Sequence, residues 1–114
     1  MPYLLTKTNI KMADETAAVF LAKASSQVAQ LLGKPERYVM VSLEQGCPMR
    51  FGGSAEPLAY LELKSIGLPG AETGSLSAVL SDLVHQELGI PRDRIYIEFA
   101  DASGPMWGWN GATF

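Results

Sequence analysis

The sequence predicts an α/β fold in which two repeated β-α-β units build a four-stranded mixed sheet with two helices on one face. Short apolar runs alternate with longer stretches of helical spacing, in the order strand, helix, strand, twice over. Both helical stretches close on the same signal, Leu32-Gly33-Lys34-Pro35 and Leu88-Gly89-Ile90-Pro91, with Gly past the end and Pro preventing continuation. The halves, roughly 1–56 and 57–114, also match without a gap at an offset of 56. Val39, Val41 and Leu43 fall over Ile95, Ile97 and Phe99, and Leu4 and Leu5 over Tyr60 and Leu61. A helical crossover requires its two strands to pair in parallel, with a right-handed connection. One domain, 1–114, holds both units.

Taken in order, Pro2 to Thr8 reads as the first strand, with Pro tolerated at its start because that position need not donate to a sheet. Asp14 is the expected N-cap of a helix to about Leu32, whose apolar stripe is Ala17, Phe20, Ala24, Val28, Leu31 and Leu32. Tyr38 to Leu43 is almost continuously apolar, which suits a strand covered on both faces. A Gly- and Pro-rich connection, 44–57, leads to a strand from Leu58 to Ile66. After the Pro69-Gly70 loop, Ser75 to Leu88 repeats the helical pattern through Leu76, Val79, Leu80, Leu83 and Leu88, and Arg94 to Ala100 is the last long strand.

Two helices on one side leave the other face of the sheet open. A mostly apolar open face, as expected here, favours association with further copies, at about 25 cal/mol per Å² of apolar surface removed from water. The tail, Pro105 to Phe114, carries two Trp and a Phe but is too short for a core. It is expected to dock as an extra strand, for which a neighbour's sheet edge is one place and its own subunit the alternative.

Bulk properties narrow the function. The 114 residues carry 9 Lys and Arg against 12 Asp and Glu, a net charge of −3 with no basic run interleaved with aromatics, which argues against nucleic acid. Cys47 and His85 are each alone, so neither a disulfide framework nor a zinc site is expected, and no cofactor is called for. No stretch approaches the roughly 20 apolar residues of a membrane span. The N-terminus lacks a signal-peptide pattern, so the expected address is cytoplasmic. Pro2 remains the residue with chemistry to offer. Removal of Met1 would leave a rigid secondary amine at a strand end, able to act as a base near neutral pH, although Pro is also simply a common second residue.

An N-terminal Met-Pro strand, Gly33-Lys34-Pro35, Phe51-Gly52-Gly53-Ser54-x-Glu56-Pro57, Ser65-Ile66-Gly67, Asp93-Arg94-Ile95-Tyr96-Ile97 and Gly108-Trp109-Asn110 occur in this order. Together they resemble macrophage migration inhibitory factor and its relatives in the tautomerase superfamily, over essentially the whole chain. The resemblance implies a homotrimer with active sites at subunit interfaces and a keto–enol tautomerase acting on aryl α-keto acids. It implies Pro2 as the catalytic base, Lys34 as receiver of the substrate carboxylate and Ile66 as donor of a backbone amide. Tyr96 would come from the adjacent subunit, with Glu98 beside it, while Tyr3, Tyr38, Trp107, Trp109 and Phe114 line or rim an apolar cavity. Without it, Lys34 is an ordinary lysine favoured by a helix C-terminus, and Tyr96 an ordinary strand residue.

Three departures qualify what the resemblance implies. Leu58 and Leu61 stand where cytokine members have a Cys-x-x-Cys pair, which removes the basis for thiol redox activity. Glu98 stands where Asn is common, and its charge opposes anionic substrates, so a weaker tautomerase is expected. Trp107 replaces a smaller aliphatic residue at the cavity mouth. Two other functions fit the same scaffold. One is another proline-dependent isomerisation or hydration, for which Arg37 and Arg50 are the nearby cations. The other is a cytokine-like ligand with a vestigial pocket and an unknown receptor.

Overall fold

In the computed structural model, which describes residues 1–114, the element order is β1 (Tyr3–Thr8), α1 (Asp14–Leu32), β2 (Met40–Glu44), β3 (Ala59–Ile66), α2 (Thr73–Leu88), β4 (Ile95–Ala102), β5 (Gly108–Trp109) and β6 (Ala112–Thr113). The first four strands form one sheet in the order β2-β1-β3-β4. Each crossover pairs its strands in parallel, β1 with β2 and β3 with β4, as the two helices require. The halves then join through antiparallel β1 and β3, which makes the sheet mixed. Both helices lie on one face. Phe20, Ala24 and Val28 of α1 and Leu76, Leu80, Leu83 and Val84 of α2 bury against Leu4, Ala59, Leu61, Leu63 and Ile95.

Helix endings follow the sequence signals. Gly33 and Gly89 sit in the left-handed region at φ 61° and 71°. The Gly33 and Lys34 amides donate to Gln30 and Ala29, which satisfies carbonyls at the end of α1. The expected N-cap does not form: Ala13 occupies that position without a side-chain bond, and Asp14 is already in the first turn, where its charge still suits the helix dipole.

Three further expectations change. The apolar run at 38–43 is not a doubly covered strand. Tyr38 ends a short 3₁₀ turn, and β2 is an edge strand whose Met40 is 66% exposed. The open sheet face is not mostly apolar either, because Ser42, Glu62, Lys64 and Glu98 share it with Tyr3, Leu5, Tyr60 and Tyr96. The offset of 56 does not hold for the first strands. Tyr3 pairs with Met40 but Ala59 with Ile95, so the first crossover is one residue longer. The buried set of β1 is Leu4, Thr6 and Thr8 and that of β3 is Ala59, Leu61, Leu63 and Ser65, which puts Leu4, not Leu5, in the place of Leu61. A slip of one residue exchanges the faces of a strand.

The tail joins no strand of the main sheet. β5 and β6 close on each other around Asn110-Gly111, both at positive φ (54° and 76°), as a two-residue hairpin turn requires. The hairpin lies on its own subunit. Tyr38 meets Trp109 edge-on at 5.5 Å and Phe114 at 6.1 Å, and Trp109 stacks on Phe114 at 5.5 Å.

Candidate active site at the start of the first strand

Pro2 is fully buried, and it is held there by a use of its backbone that suits proline. Its carbonyl accepts from the Met40 amide at 3.0 Å, continuing the β1–β2 ladder, while its own nitrogen has no hydrogen to give. Pro2 forms part of the wall of a cavity of about 430 Å³. Tyr3, Tyr38 and Met40 line it from the strand ends, and Trp107, Trp109 and Phe114 from the tail. The aromatic hairpin thus acts as one wall of the site, which explains why a ten-residue tail carries three large rings.

With Met1 in place the Pro2 nitrogen is an amide, and the free amine is that of Met1, which donates to the Tyr38 carbonyl at 3.1 Å. That amine is held below its ordinary value of 8.0, first by burial and second by the positive charge of Lys34. Both causes disfavour an ammonium at the chain start. Lys34 follows the helix-ending Gly33, is half-buried, and its charge is felt at the chain start. It does not itself line the cavity. Ile66 is also outside the lining. The antiparallel register that pairs Tyr3 with Lys64 brings it opposite Met1 when continued by two residues.

Tyr96 and Glu98 are not brought to Pro2 within the chain. Tyr96 lines a second cavity of about 470 Å³ with Met49, Phe51 and Tyr60, its ring 4.5 Å from that of Phe51. Glu98 accepts from the Tyr60 hydroxyl, which also reaches Glu62 at 3.1 Å. These carboxylates, Glu98 first, hold the Tyr60 phenol well above the usual range. Of the two arginines weighed from sequence, Arg37 lines the Pro2 cavity with its guanidinium 4.8 Å from the Tyr38 ring centre, whereas Arg50 turns away to the Gly53 carbonyl. Sequence reasoning missed Lys64, which also lines the cavity. Its one-dimensional signal, a lysine on an alternating strand, is that of a solvent-facing residue. No three His, Cys, Asp or Glu side chains converge on a metal-sized space.

The whole chain, residues 1–114, matches the family model "Macrophage migration inhibitory factor (MIF)". It is 44% identical to the macrophage migration inhibitory factor homolog of Brugia malayi and 36% identical to the macrophage migration inhibitory factor of Rattus norvegicus, in both cases over 100% of this chain and 99% of the relative. Among solved structures, the homologue from Prochlorococcus marinus superposes with a TM-score of 0.93 at 46% identity, covering 98% of each chain. That from Trichinella spiralis gives 0.92 at 39% identity, covering 98% of this chain and 99% of the other.

Proposed function

Because the chain belongs to the macrophage migration inhibitory factor family, a member of the tautomerase superfamily, we propose that it is a keto–enol tautomerase using Pro2 as its base on aryl α-keto acids. The superfamily's activity is of the isomerase kind. The observation that carries the finer reading is the position of Pro2, buried in the wall of an aromatic cavity at the point where an amine is disfavoured as ammonium. Once Met1 is removed, Pro2 presents a secondary amine there, and burial and the Lys34 charge both act against its protonated form.

The chemistry then follows from placement. The amine takes a proton from the carbon beside the substrate carbonyl, and the C–H electrons move into the enolate. The same proton, now on the Pro2 nitrogen, passes to the enolate oxygen, so one C–H bond is exchanged for one O–H and no co-reactant enters. Lys34 receives the carboxylate of the keto acid, and the Ile66 amide lies on the same side. Tyr38, Trp107, Trp109 and Phe114 accept the aryl ring and exclude water.

Tyr96 fits this scheme only as a residue of a neighbouring copy in a homotrimer, with Glu98 beside it. The test starts from chain shown by mass spectrometry to lack Met1. It should turn over phenylpyruvate, and Pro2→Gly should lower kcat/KM by about 10²-fold or more, the scale of a lost general base. An unchanged rate removes Pro2 from the mechanism. Mixing Pro2→Gly chains with Tyr96→Ala chains and allowing exchange should restore activity above either alone if each site draws on two copies.

A further inference from the structure

The Pro2 cavity is positively charged in an acidic protein. Its lining contains two cationic side chains, Arg37 and Lys64, and no acidic side chain, although the chain as a whole carries a net charge of −3. The cations arise from separate elements, Arg37 from the turn before β2 and Lys64 from β3, so neither is there merely as the other's neighbour. We propose that this cavity takes a ligand with a second acidic group, an aryl acid carrying two carboxylates being the simplest class, and that Lys64 receives the second anion. The proposal rests on the cavity being the substrate site and deepens that reading.

Strand register gives the site its layout. Met40, Tyr3 and Lys64 are consecutive partners across β2, β1 and β3 on the open face. At about 4.8 Å per strand, the Lys64 backbone stands roughly 10 Å from that of Met40, with Tyr3 between them in register. Tyr3 lines the cavity and is fixed by a 2.6 Å hydrogen bond with the Ser42 hydroxyl. A ligand whose first carboxylate sits at the chain start, beside Met1 and Pro2, would extend past Tyr3 toward Lys64, all of them lining residues. Arg37, stacked on Tyr38, adds positive potential at the rim.

Lys64 has one competitor inside the chain. Glu62, on the same face, lies 3.5 Å from its ammonium. That pair is long and half exposed, and Glu62 is also engaged by the Tyr60 hydroxyl, so the lysine is only partly neutralised. An incoming carboxylate competes with a weak partner, and weakening that partner should favour the ligand.

The test reads binding rather than turnover. The only two tryptophans of the chain, Trp107 and Trp109, both line this cavity, so intrinsic fluorescence reports on it. Benzoate and isophthalate differ by one carboxylate on the same ring. Isophthalate should bind about threefold to fivefold more tightly, the scale of a half-exposed ion pair. Lys64→Gln should erase that preference, Lys64→Arg should keep it, and Glu62→Gln should widen it. A preference absent from the parent protein, or one that survives Lys64→Gln, overturns the proposal, as does quenching by neither acid. Phenylpyruvate turnover separates the two readings. Pro2-dependent activity without an isophthalate preference leaves the tautomerase standing and removes the second anion, while the preference in a protein whose activity ignores Pro2 does the reverse.

Discussion

Arg94 is the residue whose loss the structure prices most directly. It ends the turn before β4, and its guanidinium donates to four carbonyls of one loop: Phe51 at 2.9 Å, Ser54 at 3.1 Å, Glu56 at 2.9 Å and Pro57 at 3.1 Å. It also lies 5.4 Å from the centre of the Phe51 ring, and that ring supports Tyr96. A hydrogen bond from a charged donor contributes about 1.5–3 kcal/mol, so four independent bonds would give an implausible total for one residue. The loop is largely exposed and its carbonyls rehydrate once freed, which brings the expected cost of Arg94→Met to about 2–4 kcal/mol. At about 4 °C per kcal/mol for a domain near this size, Tm should fall by roughly 8–16 °C. Arg94→Lys should recover little of it, because one ammonium cannot reach four acceptors spread over a fork. Hydrogen exchange adds a local readout: the Phe51 and Ser54 amides, which bond each other's carbonyls at 3.0 Å, should lose protection before β1 does. A melting point within about 2 °C of the parent for Arg94→Met would show that the loop is held by something else.

Two buried threonines on β1 should respond in opposite directions. Thr6 Oγ1 is buried without a hydrogen-bond partner, so Thr6→Val should be neutral or stabilising by up to about 1 kcal/mol, whereas Thr8 Oγ1 donates to the Leu58 carbonyl at 2.7 Å and Thr8→Val should destabilise by about 1–2 kcal/mol in urea unfolding. The chain-start amine gives a pH prediction. Its folded value lies below the unfolded 8.0, so between the two the unfolded chain binds more protons and stability rises with pH, levelling off above 8. Because burial is the larger cause and Lys34 the second, Lys34→Gln should raise the amine's value only part of the way back, as an NMR titration of that amine would show.

What could be read from the sequence was local chain chemistry. Leu-Gly-x-Pro ends both helices, so the C-terminal limits of α1 and α2 were visible, and with them the strand order of each half and the parallel pairing, whereas α2 starts at Thr73 rather than Ser75. Pro2 stood out only through the ordered set of motifs that the Met-Pro strand opens, because a proline second in the chain is by itself ordinary. Register was not visible. The inward positions Thr6, Thr8 and Ser65 are polar yet buried, so alternation of polarity gave no reason to prefer Leu4 over Leu5 as the counterpart of Leu61. Lys64 stayed hidden for the same reason. Its place beside Tyr3 depends on the antiparallel joint between the halves, which no crossover rule dictates. The tail's rings were noticed, but their partner Tyr38 lies about 70 residues away and is joined to them only by packing.

The distance between the two cavities ties the enzymatic reading to the proposed homotrimer. Tyr96 pairs with Tyr60, which pairs with Lys7, so it stands level with Lys7 and four residues along the strand direction from Tyr3. That is about 13 Å along the sheet, and two strands across adds about 10 Å, more than a tyrosine side chain can span. A single chain therefore supplies the Pro2 wall of one cavity and the Tyr96 wall of another. The Tyr96 ring is 64% exposed and Met40, beside Pro2, is 66% exposed. The charged residues interspersed on this face argue against indiscriminate apolar stacking and for a partner that meets each position in register. If purified protein proved monomeric and yet gave full Pro2-dependent activity, Tyr96 would have no part in the site, and the cavity bounded by Pro2, Tyr38 and the aromatic hairpin would have to account for the chemistry alone.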